Sequence, residues 1–376
     1  MSNETSARLE HTRDARGKDS QITLPKRVVV TSRYQGAHRA RLEALFHSAE
    51  VCFLAARDSA GIRRALVEAD IAILRSPPEA WILDHPRLSW VHCNISGMDA
   101  CAGRAFIESD LIMTSASGRS SAVLAEHAIF FMLALAYNAP ALLTAQRRRV
   151  WGLRDQNRLR GLENRKALIV GMGHTAKALI PRCRALGMEV MVYRRRDLGD
   201  EGLGVPVLSF TAGDRIEQLL PEADVILLAA SLNDTSHELL GSEQFAAIKR
   251  GALLINVARS RLVNTAAFKV ALRSGALGGA GLDVADREPL PPWDDLWRLS
   301  NVLITPHSTP RVADRETAEI DIIEDNFRRY LAGEPMRNRL DPDDLYTHPP
   351  DRPASRLQQT VTRLWQRAAS PAARRL

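Results

Sequence analysis

The sequence predicts an α/β protein with parallel sheets, built as two domains. Short apolar runs alternate with amphipathic segments along most of the chain, beginning with "RVVVT" at 27–31 and "AHRARLEALFHSA" at 37–49. This alternation is typical of a parallel sheet that helices cover on both faces. The 376 residues also exceed what a single hydrophobic core usually serves, which favours two domains.

The elements of the first domain follow from apolar runs that are five to seven residues long. Helices are predicted at 37–49 and 60–69, where apolar residues recur at helical spacing. The predicted strands lie at 27–31, 51–55, 71–75, 88–94 and 111–115.

A long helix at about 121–146 leads into the second domain. Its apolar run "AIFFMLALAY" at 128–137 is about half as long as a membrane span, so we expect a buried helix and no membrane segment. The stretch "KALIVGMGHTAKALIPRCRALGMEVMVYRRR" at 166–196 then predicts a strand, a glycine turn, a helix and a strand. Further strands are predicted at 223–230, 252–258, 278–284 and 301–306.

A final helix is predicted at 317–335, after the second sheet is complete. We therefore expect the chain to return there to the first domain, and to end in a basic tail with one short helix at 356–369. The predicted parts are a mobile tail at 1–26, a first domain at 27–120 and 307–345, a second domain at 121–306, and the basic tail at 346–376.

Charge and cysteine content indicate neither a nucleic-acid partner nor a metal site. The formal charge is +7, but the residues from Thr347 to Leu376 include six arginines and one aspartate, so +5 lies in that stretch. The remainder is nearly neutral and needs no basic nucleic-acid face. The four cysteines form no CxxC pair, and the N-terminus has no apolar signal segment, so a cytoplasmic protein is expected.

The glycine turn within "IVGMGHTAKAL" indicates a dinucleotide site. Gly171 permits a tight turn after a strand, and Gly173 lets the backbone approach a pyrophosphate. Ala176 is small enough for close helix packing, and the helix N-terminus offers N–H groups to the phosphates. A tight strand-to-helix turn without a ligand is the alternative, since such a motif alone is weak; its place in a strand–helix–strand unit favours a Rossmann domain.

Three arginines stand where such a domain meets the adenosine ribose. An NAD-binding domain carries an acid there for the 2′-hydroxyl. This chain has Arg194, Arg195 and Arg196 instead, and the first acid is Asp197. Guanidinium groups suit a 2′-phosphate, so NADP is the predicted cofactor and NAD the alternative. A solvated basic loop is the competing interpretation.

Three later stretches resemble motifs of the D-isomer-specific 2-hydroxyacid dehydrogenase family. "LLINVARSRLVN" matches the arginine motif at Arg259, "GAGLDVADREPLPPWDDLW" the acid motif at Glu288, and "NVLITPHSTP" the histidine motif at His307. Any one of these residues alone would be an ordinary surface or structural residue. Their order and spacing favour a catalytic trio, and the resemblance extends over roughly residues 27–345.

The chemistry of a 2-oxo acid explains why these residue types belong together. Arg259 can pair with the carboxylate and polarise the neighbouring carbonyl during hydride attack. His307 can give a proton to that oxygen in reduction or remove one in oxidation. Glu288 can accept the other imidazole N–H and favour the charged ring.

The resemblance implies further site residues and an assembly. Ser96 and Gly97 would bind the substrate carboxylate, together with Arg259. The first domain would be flavodoxin-like and substrate-binding, and the helix near 121–146 would form a homodimer. The pyrophosphate would meet His174 and Thr175, and the nicotinamide pocket would be lined by Ala230, Val257, Ala258 and Asp283.

Two classes of function fit these motifs. The first is a reductase of small 2-oxo acids, of the glyoxylate or hydroxypyruvate type, with catalytic Arg259, Glu288 and His307. The second is a dinucleotide-binding regulatory protein, because a co-repressor group shares the fold that the resemblance implies. Turnover of 2-oxo acids distinguishes the two.

Overall fold

The computed structural model describes residues 24–152, 161–199, 202–309, 314–348 and 360. By its internal contacts the chain divides into two compact units. Unit 1 contains Met1–Arg119 and Ala313–Pro342, and unit 2 contains Ser120–Val312 and Asp343–Leu376. Apart from residues 24–26 and 360, the predicted N-terminal tail and the predicted helix at 356–369 lie outside the described residues.

The described residues form two sheets with helices around them. The strands are β1 (Arg27–Val30), β2 (Glu50–Phe53), β3 (Ile71–Leu74), β4 (Trp90–Cys93), β5 (Ile112–Ser115), β6 (Lys166–Val170), β7 (Glu189–Arg194), β8 (Val207–Ser209), β9 (Val225–Leu228), β10 (Ala252–Asn256), β11 (Leu277–Leu282) and β12 (Val302–Ile304). The helices are α1 (Gly36–Leu45), α2 (Ser59–Leu66), α3 (Arg104–Ile107), α4 (Ser121–Ala136), α5 (Ala139–Arg147), α6 (His174–Ala185), α7 (Ser242–Ala247), α8 (Thr265–Ser274) and α9 (Arg315–Ala332).

Unit 1 contains a five-stranded sheet in which every strand pair is parallel. Its order, β2-β1-β3-β4-β5, is the flavodoxin-like order. Strands β1 and β3 are almost wholly buried because helices cover both faces. On one face α9 packs on α1, where the rings of Phe46 and Phe327 lie 4.7 Å apart edge to face.

Unit 2 contains a seven-stranded parallel sheet of order β12-β11-β10-β9-β6-β7-β8. Strand order reverses between β6 and β9, and the glycine turn leaves β6 at this point. A reversal of this kind marks the ligand crevice of an open α/β sheet. The two strand orders confirm the predicted α/β fold class, with a Rossmann sheet in one unit and a flavodoxin-like sheet in the other.

The predicted helix at 121–146 is two helices, α4 and α5, which are bent by 64°. Asn138 adopts a left-handed conformation (φ 48°), and Pro140 lies in the first turn of α5. Proline cannot donate the hydrogen bond that a continuous helix needs there, so the chain starts a new helix instead. In the described parts of the chain no single helix could cross a membrane; only the bent pair is long and apolar enough.

Helix α4 lies close against the sheet of unit 2. It buries Ala125, Ala128, Phe131 and Met132. A Cβ atom on Gly281 of β11 would lie 2.5 Å from Phe131 Cβ, so this position admits only glycine. Strand β8 is not predicted from the sequence, because its three residues show no distinct apolar period.

Candidate active site

The glycine turn connects β6 to α6 at the carboxyl edge of the unit 2 sheet. Gly171 has a φ of +104°, and a Cβ atom there would lie 2.8 Å from the Ala229 carbonyl oxygen. Gly173 is the N-cap of α6, and no heavy atom lies within 4 Å of where its Cβ would be. The turn therefore leaves open space in front of the α6 N-terminus, where N–H groups attract an anion.

A cleft lies in front of this turn, bordered by the ends of β6, β7 and β9. Gly171, Gly173 and Ala230 line it, and so do the three arginines. His174 and Thr175 open α6, while Ala176 is buried and packs in the core. The loop after β9 contributes further lining residues that the sequence analysis did not predict, namely Ser231, Asn233, Thr235, Ser236 and Leu239.

The three arginines differ in burial and in contacts. Arg194 ends β7, is only 5% exposed, and donates a hydrogen bond from Nη2 to the Gly199 carbonyl at 2.8 Å. Arg195 and Arg196 are more exposed and both lie near Asp343, which follows Arg195 by 148 residues. Arg194 thus stabilises the loop that follows β7, whereas Arg195 and Arg196 contact Asp343, which is distant in the chain.

His307 and Glu288 form a hydrogen-bonded pair in unit 2. His307 Nδ1 lies 2.7 Å from Glu288 Oε2, and the Ala285 N–H donates to Glu288 Oε1 at 3.2 Å. Because an ionised carboxylate only accepts, Nδ1 carries the shared proton and Nε2 is left to face solvent or a substrate. The His307 side chain is 49% exposed, and its backbone is left-handed (φ 47°).

The pKa values of the pair move in opposite directions. The hydrogen bond to Glu288 raises the pKa of His307, although burial opposes it. Burial alone would raise the pKa of Glu288, but the hydrogen bond and charge of His307 outweigh it and lower that pKa. The pair therefore favours an imidazolium beside a carboxylate.

Arg259 stands after β10, within electrostatic reach of both partners. Its positive charge acts to lower the pKa of Glu288 and of His307. The loop is held by Asn256, whose Nδ2 donates to the Arg259 carbonyl at 2.9 Å and whose Oδ1 accepts from the Ala258 N–H at 3.0 Å. The structure thus brings the predicted trio together, with one anion and two cationic groups in one place.

The loop that carries His307 is held by Asp283, a buried carboxylate. Its Oδ1 accepts from the Thr305 hydroxyl at 2.5 Å and from the Ser308 N–H at 3.0 Å, and its Oδ2 accepts from the Thr309 N–H at 3.3 Å. The family resemblance implies that Asp283 lines the nicotinamide pocket with Val257 and Ala258. In the structure its hydrogen bonds orient the histidine loop.

His127 supports the same loop from α4. Its Nε2 lies 3.2 Å from the Thr305 hydroxyl, its Nδ1 contacts the Thr309 hydroxyl, and its ring stacks on Phe131 at 4.6 Å. Burial lowers the pKa of His127, so the ring is neutral near pH 7. Nothing in its sequence context distinguishes this histidine from an ordinary core residue.

Ser96 and Gly97 lie in unit 1, in the loop that follows β4. Ser96 is exposed and Gly97 half-buried. Asn94 precedes them and is fixed by hydrogen bonds from its Nδ2 to Ser32 at 2.5 Å and to Tyr34 at 2.6 Å. These hydrogen bonds hold the start of the loop that leads to Ser96 and Gly97.

Comparison with known proteins places this geometry in a family. Residues 129–309 match the model of the "D-isomer specific 2-hydroxyacid dehydrogenase, NAD binding domain". A glyoxylate reductase from Korarchaeum cryptofilum is 33% identical over 185 residues, or 48% of this chain and 54% of the relative. The chain thus matches about half the length of that relative.

Two further comparisons cover more of the respective relatives. An (S)-sulfolactate dehydrogenase from Chromohalobacter salexigens is 32% identical over 240 residues, or 62% of this chain and 73% of the relative. The crystal structure of a D-isomer specific 2-hydroxyacid dehydrogenase from Xanthobacter autotrophicus Py2, in complex with NADPH and MES, has a TM-score of 0.71 and 28% identity. It covers 86% of this chain and 100% of its own. The resemblance seen in the three motifs is confirmed, and the chain belongs to the D-isomer specific 2-hydroxyacid dehydrogenase family.

Proposed function

We propose that the protein is an NAD(P)-dependent oxidoreductase that interconverts a small 2-oxo acid and the corresponding D-2-hydroxy acid. The hydrogen bond of 2.7 Å between His307 and Glu288, beside Arg259, carries this proposal. A half-exposed histidine that is held through Nδ1 and has a raised pKa is suited to give a proton to a carbonyl oxygen from Nε2. Relatives named glyoxylate reductase and glycerate dehydrogenase support the substrate class.

In the proposed reaction each member of the trio has one task. The Arg259 guanidinium pairs with the substrate carboxylate and stabilises the negative charge that develops on the carbonyl oxygen. His307 Nε2 donates a proton to that oxygen in reduction and removes it in oxidation. Glu288 keeps the proton on Nδ1 and stabilises the imidazolium, so the ring is protonated before the carbonyl is reduced.

The unit 2 cleft fits a nicotinamide dinucleotide, which when bound supplies or accepts the hydride. Its open glycine turn suits a pyrophosphate, because the backbone N–H groups and the α6 dipole meet an anion there. The residues proposed at the dinucleotide site are Gly171, Gly173, His174, Thr175, Ala176, Arg194, Arg195, Ala230, Val257, Ala258 and Asp283. Two of them are buried and support the site indirectly: Ala176 packs in the core, and Asp283 holds the histidine loop.

We assign NADP as the preferred form and NAD as the alternative. Arg195, which is half-buried, and Arg196, which is exposed, line the cleft with guanidinium groups that can meet a 2′-phosphate. The relative from Xanthobacter autotrophicus Py2 was solved with NADPH. For the substrate we assign a glyoxylate- or hydroxypyruvate-type acid whose carboxylate pairs with Arg259. Ser96 and Gly97 are proposed substrate-binding residues of unit 1.

The proposed cellular form is a cytoplasmic homodimer. Large apolar side chains are exposed on α4 and α5, and a patch of this kind marks an interface. A second copy of the chain is the proposed partner, since identical patches can pair about a two-fold axis. The four cysteines are free thiols, which suits a reducing compartment. The exposed apolar residues are Phe130, Leu133, Tyr137, Leu142 and Leu143.

Removal of His307 or Arg259 tests the assignment of the trio. We expect His307→Ala and Arg259→Ala each to lower turnover of glyoxylate or hydroxypyruvate by roughly 10²-fold or more, because the proton donor or the carboxylate anchor is lost. The exposed His47→Ala and Arg298→Ala serve as matched controls. Dinucleotide binding without turnover of any 2-oxo acid by the wild type would instead favour the regulatory alternative.

A change at Glu288 tests whether this carboxylate keeps His307 protonated. Because Glu288 raises the pKa of His307, the protonated ring of the wild type persists to higher pH. Glu288→Gln lowers that pKa, so the pH at which reduction fails should move down. The pH dependence of kcat for reduction measures this, with the remote Glu189→Gln as control. If kcat for reduction fell at the same pH in Glu288→Gln as in the wild type, the proposed role of the pair would be contradicted.

Cofactor choice is tested at Arg195. We expect Arg195→Gln to weaken NADPH binding by roughly 10-fold or more, the value of one charge-assisted hydrogen bond, and to leave NADH binding within about 2-fold. Fluorescence titration of both dinucleotides measures this, and Arg298→Gln controls for net charge. Equal loss for NADH and NADPH would show that Arg195 has no contact specific to the 2′-phosphate.

The homodimer is tested by placing charge in the apolar patch. We expect Phe130→Asp and Leu143→Asp, each about half exposed in one chain, to shift the protein from a dimer to a 41.6 kDa monomer. Sedimentation at micromolar concentration measures the shift. Val270→Asp, an exposed apolar position on α8, should leave the dimer intact. A monomeric wild type would exclude this assembly.

A further inference from the structure

Two carboxylates from a distant part of the chain lie against the arginines of the dinucleotide cleft. Asp343 and Asp344 end a short 3-10 turn, here named the acidic turn, and Asp344 lines the cleft itself. Arg195 donates from Nη1 to the Asp343 carbonyl, and its Nη2 lies 3.7 Å from Asp343 Oδ2 and 3.9 Å from Asp344 Oδ1. Arg196 Nη1 lies 3.7 Å from the same Asp343 oxygen.

The segment directly after the acidic turn is anchored by contacts that do not involve the arginines. Asp234 follows β9 and donates its N–H to the Leu345 carbonyl at 2.9 Å. Its carboxylate accepts from the Thr347 N–H at 2.7 Å and from the Thr347 hydroxyl at 3.0 Å. The ring of His348 stacks on His237 at 3.7 Å. This anchor does not depend on the arginine contacts, so we expect the two carboxylates to remain near the cleft when the arginines bind a phosphate.

Among the described residues at this end of the cleft, three arginines lie near three carboxylates. Arg194, Arg195 and Arg196 are met by Asp343, Asp344 and also Asp197, whose Oδ1 lies 3.7 Å from Arg194 Nη2. A 2′-phosphate that binds here must replace the carboxylates as partner of the guanidinium groups. The carboxylates also repel it, because they lie well within the Debye length of about 8 Å. A 2′-hydroxyl carries no charge and can donate to a carboxylate, as it does in NAD-binding domains.

We infer that the acidic turn is a specificity determinant that opposes the 2′-phosphate and so limits the preference for NADP(H) over NAD(H). This inference rests on the proposed function, because it takes the cleft as the dinucleotide site. The arginine run supplies the attraction, and Asp343 and Asp344 reduce it. The protein can then use both dinucleotides to a degree that the arginines alone would not allow.

The double variant Asp343→Asn/Asp344→Asn removes both charges but keeps the Asp343 carbonyl that accepts from Arg195. NADPH should bind roughly 3- to 30-fold tighter, since each exposed ion pair or repulsion has a small effect and two are changed. NADH should change by no more than about 2-fold, or weaken. The NADPH affinity of the variant should also fall more steeply with added salt than that of the wild type.

A matched control removes two carboxylates at the opposite edge of the same sheet. Glu189 begins β7 and Glu222 pairs with Lys166 at the start of β6, roughly 16 Å of strand from Arg194. Glu189→Gln/Glu222→Gln therefore makes the same change in net charge and should leave both affinities unchanged. When Arg195→Gln is already present, Asp343→Asn/Asp344→Asn should increase NADPH affinity by less, because both changes act on one contact.

The outcomes separate the inference from the proposed function. If the wild type binds neither dinucleotide, both the proposed function and the inference are wrong. A wild type that binds both, with NADPH affinity unchanged in Asp343→Asn/Asp344→Asn, overturns the inference alone. An equal gain in the control variant also overturns it, because net charge would then explain the effect. Binding of NADH by each variant in the same titration reports that its cleft is folded.

Discussion

The parallel hydrogen-bond register of the unit 2 sheet is the constraint on which the candidate site depends. Leu282 of β11 pairs with Asn256 of β10 on one side and with Ile304 of β12 on the other. Because the strands run in one direction, the residues that follow them emerge at one edge. Asp283 comes directly after its strand, and Arg259 and His307 each come three residues after theirs. A register slip in either strand would separate the trio.

Buried polar groups behind this edge fix the positions of the loops that carry Arg259 and His307. Asn256 holds the loop of Arg259, and Asp283 holds the loop of His307, each through hydrogen bonds to backbone N–H or carbonyl groups. Backbone bonds of this kind keep a catalytic side chain in one orientation without contacting the substrate. The left-handed backbone of His307 is maintained by the same loop contacts, among them the bond from its N–H to the Thr305 carbonyl at 3.0 Å.

Local patterns predicted most of the fold because parallel strands and their helices carry strong apolar periodicity. They missed the short strand β8 and the helices α3, α7 and α8. They also merged α4 and α5, since the apolar composition continues across the break at Asn138. The trio could be predicted from motif order, but the role of Asp283 could not. Its hydrogen-bond partners lie 22 to 26 residues away, and no local spacing shows whether a carboxylate faces a ligand or a loop.

The contacts of Arg194, Arg195 and Arg196 could not be predicted from the residues next to them in the chain. The sequence by itself determined the alternation of strands and helices, the glycine turn, the three motifs and the positive charge at the end of β7, because each depends on residues close together in the chain. Only the tertiary structure decided that Arg194 is buried in its own loop and that Asp343 and Asp344 meet its neighbours. Electrostatic effects depend on distance in space, and Asp343 is 148 residues from Arg195 in the chain but in hydrogen-bond contact with it in the fold.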